Sequence, residues 1–164
     1  MNPTIELLKK HRSIRKFTAQ PIPPALLNEL FLAAQSAATS SFLQGTTIVR
    51  VKSPETRALI AESAGNQGYV KSAAEFLVMC ADLKRAGNYC IKNGFAFEGQ
   101  YTEQFIIATV DVALLAQNLV IAAESEGLGI CYIGGIRNDP QRVTELLDLP
   151  LGVYPVFGLC LGYP

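Results

Sequence analysis

The chain has 164 residues, 49% hydrophobic and 17% charged, with a formal net charge of +0, a length that suits one domain with its own core. Balanced charge removes the electrostatic drive toward nucleic acid or an acidic membrane. One histidine and four scattered cysteines leave little from which to build a metal centre.

In chain order, Pro3-Thr4 followed by Ile5–Lys10 predicts a short amphipathic helix, with Thr4 as cap, Glu6 in the first turn and Lys9 and Lys10 in the last. Nothing at this end resembles an apolar core followed by a small-residue cleavage site, which points to the cytoplasm. The helix should stop near His11. Residues 13–17 read as extended or looped, and Gln20-Pro21-Ile22-Pro23-Pro24 as a rigid connector. Pro24 suits the first position of a second helix through Ala37, packed on Leu26, Leu27, Leu30, Phe31 and Ala34. Small hydroxylated residues break the pattern at 38–45, before the β-branched strand Thr46–Val51. Ser53 caps and Pro54 opens a helix to about Ala64. A glycine loop follows at 65–68, then a further turn of helix at 69–74. Glu75–Asp82 reads as a buried strand by its apolar run. Residues 83–100 mix glycines with aromatics and read as a helix and loop covering something.

The chain is organised around the helix Glu103–Glu126. Its apolar residues (Ile106, Ile107, Val110, Val112, Leu114, Leu115, Leu119, Val120, Ile121) run nearly all round, and only Asp111, Gln117 and Asn118 offer a wet face. This is a helix buried by its own domain on one side and by a partner chain on the other, in keeping with a charged share below the ordinary ~25%. Glu103, Asp111, Glu124 and Glu126 punctuate it and argue against a membrane span. Gly127 sits where a glycine ends a helix. A short strand follows, and Gly134-Gly135 bares the backbone, which either turns or hydrogen-bonds a flat ligand. Asp139-Pro140 opens a helix through Leu147, and Pro150-Leu151-Gly152 turns into the last strand, Val153–Gly162. The order gives an α+β fold with a central sheet. No GxGxxG follows the first strand, so a doubly wound dinucleotide domain is disfavoured. Cys80, Cys131 and Cys160 lie in apolar, strand-like runs, as inert thiols of a reducing compartment do.

Candidate chemistry is confined to a few stretches. His11-Arg12-Ser13-Ile14-Arg15-Lys16 sets basic side chains and a hydroxyl at a helix-to-strand junction; it is either a solvated basic collar or a clamp for one small anion. Thr39-Ser40-Ser41 reads as a cap and turn, and Gln44 as an amide that can face a pocket. Asn66 and Gln67 suit a surface turn or the heteroatom edge of a base or flavin. The lone histidine rules out a Ser–His–Asp set elsewhere. An anion clamp, amides and bare backbone with no protein nucleophile fit a site whose chemistry belongs to a cofactor.

HRSIRKF at 11–17, TSSFLQ at 39–44, AAEFLVMCAD at 73–82, VDVALLAQNLVIAAESEGLG at 110–129, YIGGIRNDP at 132–140 and FGLCLGYP at 157–164 together resemble the FMN-dependent nitroreductase superfamily, in its oxygen-insensitive, NADPH-using nitroreductase and flavin reductase branch. The resemblance runs over essentially the whole chain. It implies a mostly antiparallel sheet flanked by helices around the long helix, and an intertwined homodimer with FMN at the interface. His11, Arg12, Ser13 and Arg15 resemble the clamp on FMN phosphate and ribityl. Ser40, Ser41 and Phe42, with Gln44 nearby, resemble the segment that reaches the flavin of the other subunit. Gln67 resembles the amide near the flavin ring, and Ile133, Gly134 and Gly135 the backbone passing it. The implied activity is ping-pong transfer of hydride from NADPH to flavin, then of electrons to nitroaromatics, quinones or free flavin. No catalytic side chain and no metal ligand is implied. Members of this branch run past two hundred residues, so the resemblance also implies that 1–164 is a single domain lacking the family's C-terminal extension. The alternative is a truncated flavin-binding or structural dimer module with little or no turnover.

Overall fold

The computed structural model describes residues 2–164. Helices α1 (Pro3–Lys10) and α2 (Pro24–Gln35) precede strand β1 (Thr46–Arg50). Helices α3 (Pro54–Ser63) and α4 (Tyr69–Ser72) lead to β2 (Glu75–Asp82). Helices α5 (Lys84–Lys92) and α6 (Thr102–Ser125) lead to β3 (Gly129–Ile133), and α7 (Pro140–Leu146) to β4 (Val153–Gly162). Short 3₁₀ turns occupy Ser40–Phe42 and Gly134–Asn138.

The four strands form one antiparallel sheet in the order β1-β2-β4-β3. Every residue of β2 is buried, which explains its unbroken apolar run. Because side chains alternate across a strand, Leu77, Met79 and Ala81 face α2 and α6, while Phe76, Val78 and Cys80 face the opposite layer, with Ile60 of α3 and Val143 of α7. The result is three layers: helices, sheet, helices. On β4, Gly158 leaves room for Phe76, since a Cβ there would lie 2.7 Å from the ring.

Helix α6 spans the first layer with eight buried residues, among them Val112, Leu115, Leu119 and Val120. By length and hydropathy it could cross a membrane, yet it is the element on which this half of the core is built. Its outer stripe, Phe105, Ile106, Val110 and Leu114, stays about half exposed. Gly127, at φ +75°, ends it. Of the expected wet face, Gln117 is exposed and Asn118 partly so, but Asp111 is not. Only 1% of it is exposed, because the segment ahead of β1 folds over it.

One further expectation is corrected. The cap of α1 is Asn2, not Thr4: Thr4 N–H donates to Asn2 Oδ1 at 2.9 Å. Residues 83–100 are a helix and a covering loop as expected, and what the loop covers is α5 itself, with the Phe97 ring close over Gly87 and Gly99, where a Cβ would meet it at 3.0 and 2.5 Å. Capping at α3 and α7 is as read, with Ser53 accepting from Thr56 N and Asp139 from Arg142 N.

Candidate functional site

The sequence-predicted residues fall into two groups, at opposite edges of the sheet. At the β3 edge, residues after α1 run parallel to β3: Ser13 bridges Ile130, and Ile14 N–H donates to Ile130 O at 2.8 Å. Gly129 permits this approach, because a Cβ there would lie 2.6 Å from Ile14. His11, Arg12, Ser13 and Arg15 are all exposed along this fringe. His11 Nδ1 lies 2.6 Å from Glu124 Oε1 near the end of α6, while among the described residues Arg12 and Arg15 pair with no carboxylate. Two exposed, unpaired guanidiniums on one fringe can donate charge-assisted hydrogen bonds to one small anion.

Cys131 of β3 lies between this fringe and the Gln67 loop: burial pushes its thiol up, the Arg15 guanidinium offsets part of that, and Tyr69 packs against the buried cluster to which Cys131 belongs. Tyr69 O–H donates to Gln67 Oε1 at 2.8 Å. With its oxygen engaged, Gln67 keeps its amide NH2 to offer a ligand. The helical pattern at 69–74 carries no sign of this contact; a tyrosine two residues from a candidate amide is the available signal.

Ile133, Gly134 and Gly135 stand where β3 ends, on the same edge. Their glycines have local reasons. A Cβ on Gly135 would lie 2.5 Å from Ala64 O at the end of α3, and one on Gly134 would meet the Arg137 guanidinium at 3.0 Å. Arg137 is held there by donating Nη1–H to Val156 O at 2.9 Å. The segment turns, as one of the two readings has it, and its bare backbone lets the end of α3 and the turn's own Arg137 close on the end of β3.

The second group lies beyond β1, at the other edge. Two strands separate β1 from β3, so three interstrand steps put the edges about 14 Å apart. Here Ser41, Phe42 and Gln44 all have left-handed backbones, at φ +49°, +54° and +53°. Non-glycine residues rarely adopt this region, and three within four positions mark stored strain. Ser40 N–H donates to Asp111 Oδ1 at 3.0 Å, and Arg85 donates to Gln44 O. Phe42 is 80% exposed. Gln44 and Thr39 help line a cavity of about 490 Å³ with Phe31, Ile48 and Leu115. Among the described residues no cluster of three or more His, Cys, Asp or Glu could hold a metal ion.

Comparison with protein families matches residues 8–163 to the Nitroreductase family. The chain is similar to the FMN reductase (NADPH) of Bacillus subtilis, at 46% identity over 100% of this chain and 67% of that protein. It is 48% identical to the oxygen-insensitive NADPH nitroreductase of Salmonella typhimurium, with the same coverage. Among solved structures, the NADPH:FMN oxidoreductase from Vibrio harveyi complexed with NAD+ superposes with a TM-score of 0.95 at 47% identity, over 99% of this chain and 69% of that one. The chain therefore spans about two thirds of the length of the curated relatives it matches.

Proposed function

The chain belongs to the nitroreductase family, and we propose that it is an FMN-dependent oxidoreductase that draws a hydride from NADPH and delivers electrons to a nitroaromatic, a quinone or free flavin. The NADPH-dependent flavin reductases and nitroreductases at 46–48% identity support the activity. The observation that carries the site is the Ser13–Ile130 bridge. It brings the basic segment onto β3, whose end carries 133–135, and Tyr69, bonded to Gln67, packs against the cluster that holds Cys131 and Ile133.

FMN, when bound, supplies the redox chemistry. The chain's own residues bind and orient it. Arg12 and Arg15, with His11 and the Ser13 hydroxyl, take the phosphate and ribityl end. Gln67, with its oxygen tied to Tyr69, donates its amide to the ring. Backbone N–H groups at 133–135 are fixed dipoles that favour negative charge developing on the ring. No side chain is assigned as acid or base; solvent supplies the product's proton.

The functional unit in this reading is a homodimer. Ser40, Ser41, Phe42 and Gln44 stand across the sheet from the clamp, so they serve the FMN held by a second copy. The half-exposed stripe Phe105, Ile106, Val110 and Leu114 on α6 supports such a partner surface. Four free cysteines, three of them buried, support a reducing, cytoplasmic setting. The test is the visible spectrum of the purified chain before and after anaerobic NADPH. Flavin bands that bleach are expected. A colourless protein that added FMN does not reconstitute overturns the reading, and bands that NADPH leaves unchanged reduce it to flavin binding.

A further inference from the structure

Three acidic residues are buried in this fold, and they are treated differently. Glu75 (6% exposed) is forked by Arg50, with Nε–H donating to Oε2 at 2.6 Å and Nη2–H to Oε1. Asp82 (9% exposed) accepts from Thr47 Oγ1 at 2.7 Å and from Arg85 N at 3.1 Å. Both therefore use both oxygens. Asp111 is the most deeply buried of the three, yet only its Oδ1 has a partner, the Ser40 N–H; Oδ2 is buried without one. The Thr39 hydroxyl is also buried without a partner.

Burying a carboxyl group against so few partners costs free energy. Nor does the helix need an acid there: Asp is a poor helix former, and Ala is the best. What Asp111 does hold is the backbone at the head of the strained turn. Ser40 donates to it, and the next residues, Ser41 and Phe42, enter the left-handed region, as does Gln44. A turn this unfavourable persists only where the surroundings over-determine it. Asp111, from the middle of the rigid α6, is the anchor on one flank, and Arg85, through Gln44 O, on the other.

We propose that Asp111 is a positioning residue for flavin binding: through Ser40 N it fixes the 39–44 turn in the shape that presents Ser40–Gln44 to FMN held by a second copy of the chain. This rests on the functional reading above and deepens it. The contribution falls on the flavin's ring and ribityl portion, because the phosphate belongs to the clamp at the other edge.

The test compares the wild-type dimer with Asp111→Ala and Asp111→Asn, titrated by fluorescence with FMN and with riboflavin, which lacks the phosphate. Asp111→Ala is expected to weaken both flavins alike by about tenfold, as loss of an anchoring hydrogen bond would. Asp111→Asn keeps an acceptor for Ser40 N–H and should restore affinity to within about threefold. Circular dichroism and dimer mass should be unchanged in both variants. If the wild type binds both flavins and Asp111→Ala binds them equally well, the positioning role is overturned while the functional reading stands. Loss of FMN affinity alone, with riboflavin unaffected, also overturns it, because the effect would then lie at the phosphate. A wild-type chain that binds neither flavin overturns the functional reading and the positioning role together.

Discussion

The two edges of the sheet are built in opposite ways. At the β3 edge the backbone is relaxed: Ser13 and Ile14 lie in parallel pairing with Ile130, and the side chains beside them are exposed basic groups. At the β1 edge the backbone is strained, and Arg50 and Arg85 line the cavity beside it. Ser41, Phe42 and Gln44 sit in the left-handed region, held by a buried carboxyl group in α6. Charge tolerates small errors of placement because Coulomb attraction varies slowly with distance. A turn offering backbone and hydroxyls does not, so it must be fixed from behind. The first edge should therefore fail by losing charge or its strand, and the second by losing rigidity.

The largest effect is expected from breaking the β3 edge without touching a charge. Gly129→Val would put a branched side chain where even a Cβ comes within 2.6 Å of Ile14. The basic segment should be pushed off β3, at a cost of about 3 kcal/mol in urea unfolding, and FMN affinity should fall with it. Unchanged FMN binding in a folded Gly129→Val protein would show that the strand pairing does not set the clamp. Next is Arg15→Ala, which should weaken FMN by about 1.5–3 kcal/mol in fluorescence titration and riboflavin far less. Equal losses for the two flavins would place Arg15 away from the phosphate and undo the division of labour between the edges.

How far each edge was legible in the sequence follows from the same contrast. The basic segment is contiguous, 11–16, so its chemistry could be read directly. The strands and the ends of α3, α6 and α7 were legible too, because β-branched runs, Ser53-Pro54, Asp139-Pro140 and Gly127 act through neighbours a few residues away, whereas the cap of α1 was not. The strained edge was only half legible. TSSFLQ looked like a cap and turn, but no local signal announces left-handed Ser41 and Phe42, which glycine or asparagine would have flagged. Asp111 was misread as part of a wet face because its partner, Ser40, is 71 residues away. Tyr69 is illegible for a similar reason: its packing against the cluster that holds Cys131 and Ile133 depends on tertiary pairing that no helical pattern encodes.

The thiols sharpen the comparison further. Burial raises the Cys131 thiol, with the Arg15 guanidinium offsetting part of the rise, whereas Cys80, opposite Thr47 of β1, is pushed up to about 12 by burial first and then by Asp82. Cys80 stays protonated in the folded chain where the unfolded chain's thiol ionises above its ordinary value of 9.0. Between about pH 9 and 12 the unfolded state then binds fewer protons than the folded one, so stability falls as pH rises, by at most about 1.4 kcal/mol per pH unit from this thiol. Below that window its contribution is fully present. Cys80→Val, of similar volume and suited to a strand, should flatten the loss between pH 9 and pH 11 in urea unfolding. Parallel curves for the two proteins would mean that the alkaline sensitivity comes from elsewhere.

The smallest effect tests the strain itself. A non-glycine residue in the left-handed region costs about 1–2 kcal/mol, and glycine returns part of that gain as extra entropy of the unfolded chain. Ser41→Gly or Phe42→Gly should therefore raise stability by only about 0.5–1 kcal/mol, a small shift in the urea midpoint. The same change should loosen the turn and weaken FMN and riboflavin alike. The β3 edge has no counterpart to this: stabilising its relaxed fringe should not cost affinity. A Phe42→Gly protein both more stable and equally tight for flavin would show that the left-handed turn is a packing accident of the β1 edge. A more stable protein with weaker flavin binding would show that the strain is maintained because the ligand needs the shape it imposes.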